Sequence, residues 1–308
     1  MSFIKDILFS DLLLTKDQFS FRYEGELQSV PDEYHDDLND LFNKALNHSP
    51  VESEFQLEHD SIFYRAVVFD DAKGKCVVLR RLQNKVFSWR DLRLPNALKN
   101  AIIYEGNPNK EVVSKGGIVF IFGETDSGKS TTLNALIHEL ALLKGWVFMT
   151  FEDPLEVLFD SSAYNTGARI IQRNVRSHEL VDGLKTALRS NADVIKVGEI
   201  RDEEGAQMAV QASLSGHTVL TTMHASSIGD GLSRFSKFLG DNGNAAISNS
   251  MRFCIHQSLS QTEDFSNRFL SLKCLYPHQS VKNVINDGNF NQLATYSDSQ
   301  TSKLVFGG

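Results

Sequence analysis

The chain has 308 residues, 41% of them hydrophobic, and carries a formal charge of −8, enough to bury a sizeable core and to hold two domains. No apolar run approaches the roughly eighteen residues of a membrane span, and the start Met1-Ser2-Phe3-Ile4-Lys5-Asp6 lacks the features of a secretory signal, so a cytoplasmic protein with no membrane insertion is expected. Through Val86 sixteen Asp and Glu stand against ten Lys and Arg, which makes the front of the chain a poor surface for nucleic acid.

In chain order, Gln18-Phe19-Ser20-Phe21-Arg22-Tyr23 alternates like a half-buried strand, and Gly25 can turn it towards Leu27 and Val30. From Pro31 to Asn47 the spacing turns helical, with Leu38, Leu41, Phe42, Ala45 and Leu46 as an apolar stripe on an acidic helix. Ile62 to Phe69 and Cys76 to Leu82 read as two strands joined through residues 70–75. Residues 1–86 are therefore expected to form a small α+β domain. A symmetric hairpin sets Phe69 against Cys76 and Arg65 against Arg80. Like charges directly across a ladder are unfavourable unless an anion lies near them. The pair either reaches a phosphate, in a neighbouring subunit, or is two solvated arginines on an exposed face. Cys76, Cys254 and Cys274 form no C-x-x-C pair, which argues against a disulfide framework and a zinc site and for buried free thiols.

Residues 87–116 are expected to be a connection, because Pro95, Pro108 and the polar stretch 105–110 mark irregular backbone. The chain then changes character. Gly117-Ile118-Val119-Phe120-Ile121-Phe122 has the apolar run of a strand covered on both faces. It leads into Gly123-Glu124-Thr125-Asp126-Ser127-Gly128-Lys129-Ser130-Thr131, a full G-x-x-x-x-G-K-[ST] match, after which Leu133, Leu136, Ile137 and Leu140 recur at helical spacing. Such a loop aims backbone N–H groups and a helix N-terminus at one polyanion. Lys129 would then reach the β- and γ-phosphates of a nucleotide and the Ser130 hydroxyl would sit on Mg²⁺. Glu124 and Asp126 bring negative charge into this loop, pointing either outward or towards basic groups.

Strands and helices alternate from here on, which calls for an α/β fold with a mostly parallel sheet covered on both faces. Three apolar strands end in polar groups: Trp146 to Phe151 before Glu152-Asp153-Pro154-Leu155-Glu156, Asp193 to Gly198 before Glu199, and His217 to Met223 before His224. Ligands of open parallel sheets sit beyond the carboxyl ends of the strands, so these groups are expected around the phosphates. Glu199 suits metal coordination, Glu156 or Glu152 could polarise the attacking water, and His224 could sense the γ-phosphate. The competing reading is a helix-start carboxylate for each acid and a core histidine for His224. Lys196 is a charge in an otherwise apolar strand, and the polar tail after Asn291 is expected to be mobile.

Together these segments resemble the secretion and type IV pilus ATPase superfamily. The resemblance rests on the Walker A stretch Gly123 to Thr131, the acidic box Glu152 to Glu156, the pair Gln172-Arg173, the Walker B stretch Asp193 to Asp202 and the histidine box Gly216 to His224. It implies a RecA-like P-loop domain over 117–308 behind a PAS-like N-terminal domain, and a hexameric ATPase using ATP and Mg²⁺. It implies Gly123, Thr125, Ser127, Gly128, Lys129, Ser130 and Thr131 as nucleotide contacts and Ser130 with Glu199 as the metal site. Glu156 takes the catalytic-base position, Glu199 that of the Walker B glutamate, and His217 and His224 those of the histidine box. The resemblance of the hairpin to the family's N-terminal domain implies that Arg80, and less closely Arg65, act in trans on a neighbour's nucleotide. Val281-Lys282-Asn283-Val284-Ile285-Asn286-Asp287-Gly288 is similar to a retraction motif, and the chain lacks the long front extension and tetracysteine insertion of assembly ATPases. The branch implied is therefore pilus retraction or compact type IVB secretion and conjugation, acting at the inner membrane through a platform protein. The alternatives are a nucleotide-binding scaffold with little hydrolysis, motivated by Glu124 and Asp126, and a nucleic-acid motor on a related core.

Overall fold

A computed structural model describes residues 9–23, 26–48, 54–82, 85–104, 113–261 and 268–305. The expected turn at Gly25, the polar stretch 105–110, the first six residues and the last three lie outside the described residues. The chain divides into two compact units, Met1–Asn84 with Pro154–Leu158, and Lys85–Asp153 with Phe159–Gly308.

The first unit is built on an antiparallel sheet of β1 (Asp11–Thr15), β2 (Phe19–Tyr23), β3 (Glu26–Ser29), β4 (Glu54–His59), β5 (Ile62–Asp71) and β6 (Gly74–Arg81), in the order β3-β2-β1-β6-β5-β4. Helix α1 (His35–His48) buries Leu38, Leu41, Phe42 and Ala45 in one cluster with Leu12, Leu14, Tyr64, Ala66, Val77 and Leu79 of the sheet. Strands β1 and β4 extend the expected sheet. The β5–β6 register pairs Phe69 with Cys76 and Arg65 with Arg80, as the symmetric hairpin requires. Asp71 fixes the turn by accepting the Lys73 and Gly74 N–H groups at 2.6 and 2.9 Å. Each arginine nevertheless has its own carboxylate. Arg65 donates to Glu54, and Arg80 Nε donates to Asp11 Oδ1 at 2.7 Å, so no anion is needed to offset the opposition.

The second unit has a sheet of β7 (Ile118–Phe122), β8 (Val147–Glu152), β9 (Arg169–Asn174), β10 (Val194–Glu199), β11 (Thr218–Met223), β12 (Met251–Gln261) and β13 (Arg268–Leu275), ordered β13-β12-β7-β11-β10-β8-β9. Only the β12–β13 pair is antiparallel. Its helices are α2 (Asn96–Ile103), α3 (Lys129–Leu143), α4 (Leu180–Arg189), α5 (Glu203–Leu214), α6 (Ile228–Leu239), α7 (Gly243–Ser250), α8 (Gln279–Asn286) and α9 (Leu293–Val305). Strand β7 shows why both faces are covered. Ile118, Phe120 and Phe122 enter a cluster with Leu184 of α4, Ala206 of α5 and Leu232 of α6, while Val119 and Ile121 enter another with Leu133 and Ile137 of α3.

Two expectations are corrected here. Residues from the stretch expected as a connection fold into this unit, with Trp89, Leu94, Leu98 and Ile102 buried in the α3 cluster. Buried Arg252 holds that piece in place: its guanidinium donates at 2.9 and 2.7 Å to the Ile102 and Ile103 carbonyls, which the end of α2 leaves unpaired, and at 3.0 Å to the Gly116 carbonyl. The polar tail is likewise ordered through Val305 as α9. Thr301 accepts the Cys274 N–H at 2.8 Å, and Gln300 pairs with both backbone groups of Tyr276 at 2.7 and 3.2 Å. The three cysteines are free and buried, and burial pushes the Cys274 thiol up to about 12. Among the described residues no helix is long and apolar enough to cross a membrane.

Candidate functional site

The site grows from the turn between β7 and α3. Gly123 has φ +151°, and a Cβ there would collide with the Gln257 carbonyl and Ser127 Oγ, so the loop closes against β12 only with glycine at this position. Gly128, at φ +83°, caps α3 in the left-handed region and lets the helix start directly after the bend. Lys129 is 8% exposed, and its ammonium folds back to donate to the Glu124 carbonyl at 2.5 Å. Ser127 Oγ is buried with no hydrogen-bond partner among the described residues. A cradle that a Cβ would fill, an orphaned hydroxyl inside it and a lysine over it together fit a polyphosphate. Glu124, Thr125 and Asp126 are exposed, which answers where the two acids go: to solvent.

Strands β11 and β10 lie in turn beside β7, so their carboxyl ends stand on the loop's edge of the sheet. The β10–β11 register shifts between Val197 and Glu199 at Gly198, and Thr222 Oγ1 donates to the Gly198 carbonyl at 2.6 Å. The irregularity re-aims the strand end. Glu199 lies between Arg201 and His224: Arg201 donates to Oε2 at 3.0 and 2.9 Å, and His224 Nε2 lies 3.6 Å from Oε1. The His224 carbonyl in turn accepts Arg234. His217 precedes β11 at the other end of that strand and bonds the Ala192 carbonyl at 2.5 Å, so only His224 of the two reaches the loop's edge.

Glu152 and Lys196 explain each other. Both are buried, at 5% and 1% exposure, and Lys196 Nζ donates to Glu152 Oε2 at 2.5 Å and to Asn134 of α3 at 2.7 Å. The charge in an apolar strand is thus one half of a buried ion pair. Glu152 Oε1 and Thr150 Oγ1 remain buried without hydrogen-bond partners among the described residues. Glu156 lies in the segment Pro154–Leu158 and, like Arg65 and Arg80, belongs to the first unit. On β9, Gln172 accepts the Phe159 N–H at 2.8 Å and Arg173 lies 5.9 Å from the Phe151 ring centre.

Two residues of this site were not anticipated. Gln257 on β12 is 1% exposed; its amide donates to the Ser127 carbonyl and accepts from Thr132 Oγ1 at 2.9 Å, so one side chain ties the loop to α3. His256 pairs in register with Phe122, the residue before the loop. Burial lowers its pKa, a hydrogen bond with the Ala225 backbone and the Glu124 carboxylate work against that, and Lys129 adds to it. Nothing local in the sequence marks either residue. They arrive through the β7–β12 pairing.

The family model described as "Type II/IV secretion system protein" matches residues 47–293. The chain belongs to this family. The match takes in the loop, the β10 and β11 strand ends and both unanticipated residues of β12. The chain is 29% identical over 263 residues to a twitching motility protein of Neisseria gonorrhoeae, covering 83% of this chain and 66% of that one. It is 27% identical over 271 residues to the type IV pilus retraction ATPase PilT of Pseudomonas aeruginosa, covering 87% and 74%. It thus spans about two thirds to three quarters of the length of these relatives. The crystal structure of the pilus retraction motor PilT with bound ADP has a TM-score of 0.77 at 24% identity, over 96% of this chain and 86% of that one, so this secretion-family chain has that fold.

Proposed function

We propose that the chain is an ATP-hydrolysing motor of the type IV pilus and secretion class, working as a homohexamer. The observation that carries this reading is the loop: a glycine cradle closed by Gln257, an orphaned buried Ser127 hydroxyl and Lys129 above it, with Glu199 and His224 on the same sheet edge. Backbone groups from Gly123 to Thr131 bind the phosphates, and Lys129 exchanges the Glu124 carbonyl for them. Ser130 and Glu199 would hold Mg²⁺, which supplies charge neutralisation at the phosphates when bound. Glu156 polarises the attacking water. Glu152 is committed to Lys196 and serves packing instead. His224, paired with Glu199, passes the state of the phosphate site to β11 and α6. Arg80, and less directly Arg65, serve a neighbouring copy's nucleotide, Arg80 exchanging Asp11 for it. The similarity to a retraction ATPase supports a retraction-like role at the cytoplasmic face of the inner membrane, through a platform protein there. Exposure of Glu124 and Asp126 speaks against the non-hydrolysing scaffold, because neither carboxylate fills the cradle. The test is phosphate release from ATP with Mg²⁺. Lys129→Ala is expected to lose at least about a hundredfold in turnover, as removal of a main electrostatic group does; a variant as active as wild type would refute the site.

A further inference from the structure

The first unit holds a cluster of potential metal ligands that the nucleotide chemistry does not use. One ligand atom each of Asp37, His59 and Asp60 lie within 4.8 Å of one another. Asp37 stands in the first turn of α1, His59 ends β4, and Asp60 begins the two-residue turn into β5. Helix and sheet meet here.

Two buried groups at this point are incomplete. The His59 side chain is 6% exposed and makes no hydrogen bond among the described residues; Asp40 Oδ2 is 4.0 Å from Nδ1, too long for one. Tyr64 is fully buried and its hydroxyl has no hydrogen-bond partner among the described residues. Burying polar groups without partners is costly, and native interiors usually resolve them with a partner or an ion. Asp37 and Asp60 are close enough to act on Tyr64, and burial with these acids raises its pKa against the opposing pull of Arg81.

We infer that Asp37, His59 and Asp60 form a binding site for a divalent transition-metal cation of the Zn²⁺ type. One imidazole nitrogen with two carboxylate oxygens suits Zn²⁺, whereas Mg²⁺ and Ca²⁺ take oxygen ligands alone. Metal–ligand bonds of about 2.0–2.2 Å require the three atoms to close in from their present spacing, which side-chain rotation of the two aspartates supplies. Asp40 is placed to complete the ligand set or to orient the imidazole. The bound cation clips the start of α1 to the β4–β5 turn. Because the ligands are already gathered by the fold, binding stabilises the folded chain.

The experiment uses the full chain, stripped with chelator and free of nucleotide, titrated with Zn²⁺ by calorimetry and melted with and without it. Wild type is expected to take up one equivalent at this site and to rise in melting midpoint by at least about 3 °C, with no such rise for Mg²⁺. Asp60→Asn and Asp37→Asn are each expected to weaken that binding at least about tenfold. Asp60 sits at φ +52°, a conformation asparagine also tolerates, so the first variant keeps the turn; the second tests the site from α1. No saturable binding below about 100 μM in wild type, an equal rise with Mg²⁺, or unchanged affinity in both variants would overturn the inference.

Discussion

At the scale of single residues, the loop departs from the composition that best suits a polyanion. Asp126 adopts φ +60°, a left-handed conformation that aspartate tolerates better than most residues, so the acid keeps the turn while adding charge. Removing that charge without changing the backbone should strengthen nucleotide binding. Asp126→Asn is expected to tighten ATP affinity about threefold to tenfold at low ionic strength, with the gain shrinking as salt screens an exposed group. Equal affinities at low salt would mean that the carboxylate is too far from the phosphates to matter. His256 gives a pH test of the neighbouring strand. Its folded pKa lies below the ordinary 6.5, so the folded chain resists a proton that the unfolded chain accepts. Nothing is lost above that value, and stability falls as pH drops below it. The decline in melting midpoint from about pH 7.5 to 5.5 is expected to be shallower in His256→Gln than in wild type, and identical profiles would contradict the burial argument.

At the scale of elements, the Lys196–Glu152 pair links β10, β8 and α3 through the core. Breaking one member leaves an uncompensated buried charge, so Lys196→Met or Glu152→Gln is expected to cost about 3–5 and 2–4 kcal/mol respectively by denaturant unfolding. The double replacement Lys196→Met with Glu152→Leu is expected to recover most of that loss, because a buried pair offsets desolvation rather than adding net stability. Additive losses in the double variant would show that Lys196 and Glu152 are not energetically coupled and would contradict the pair reading.

Elements also show what was legible in the sequence and what was not. The β5–β6 register followed from the turn at residues 70–75, and β7, the loop and α3 from an apolar run, a glycine spacing and helical periodicity. Helix α9 was missed because Gln300 and Thr301 hold it through hydrogen bonds to β13 rather than through an apolar stripe. Strand β4 was missed because its alternation is weak, with Phe55 and Leu57 as its only apolar residues. Lys196 could be recognised as odd but not explained, since its partners lie 44 and 62 residues away. Gln257 and His256 were invisible for the same reason: sheet pairing over more than a hundred residues puts them at the loop.

At the scale of the whole molecule, the two units carry different parts of the proposed machine. The second unit holds the phosphate cradle, Glu199 and His224, while Glu156, Arg65 and Arg80 belong to the first. A motor in which a neighbour's Arg80 completes each site cannot work at full rate as a single chain. Its turnover per chain must depend on assembly. The direct test is the rate of Mg²⁺-dependent ATP hydrolysis per chain across a protein concentration series, for wild type, Lys129→Ala and Arg80→Ala. The proposed motor predicts a wild-type rate that climbs with concentration to a plateau, no turnover in Lys129→Ala, and in Arg80→Ala retained nucleotide binding with turnover lowered at least about a thousandfold at every concentration. A wild-type rate per chain that is flat down to monomer concentrations, or an Arg80→Ala variant as fast as wild type, would contradict it.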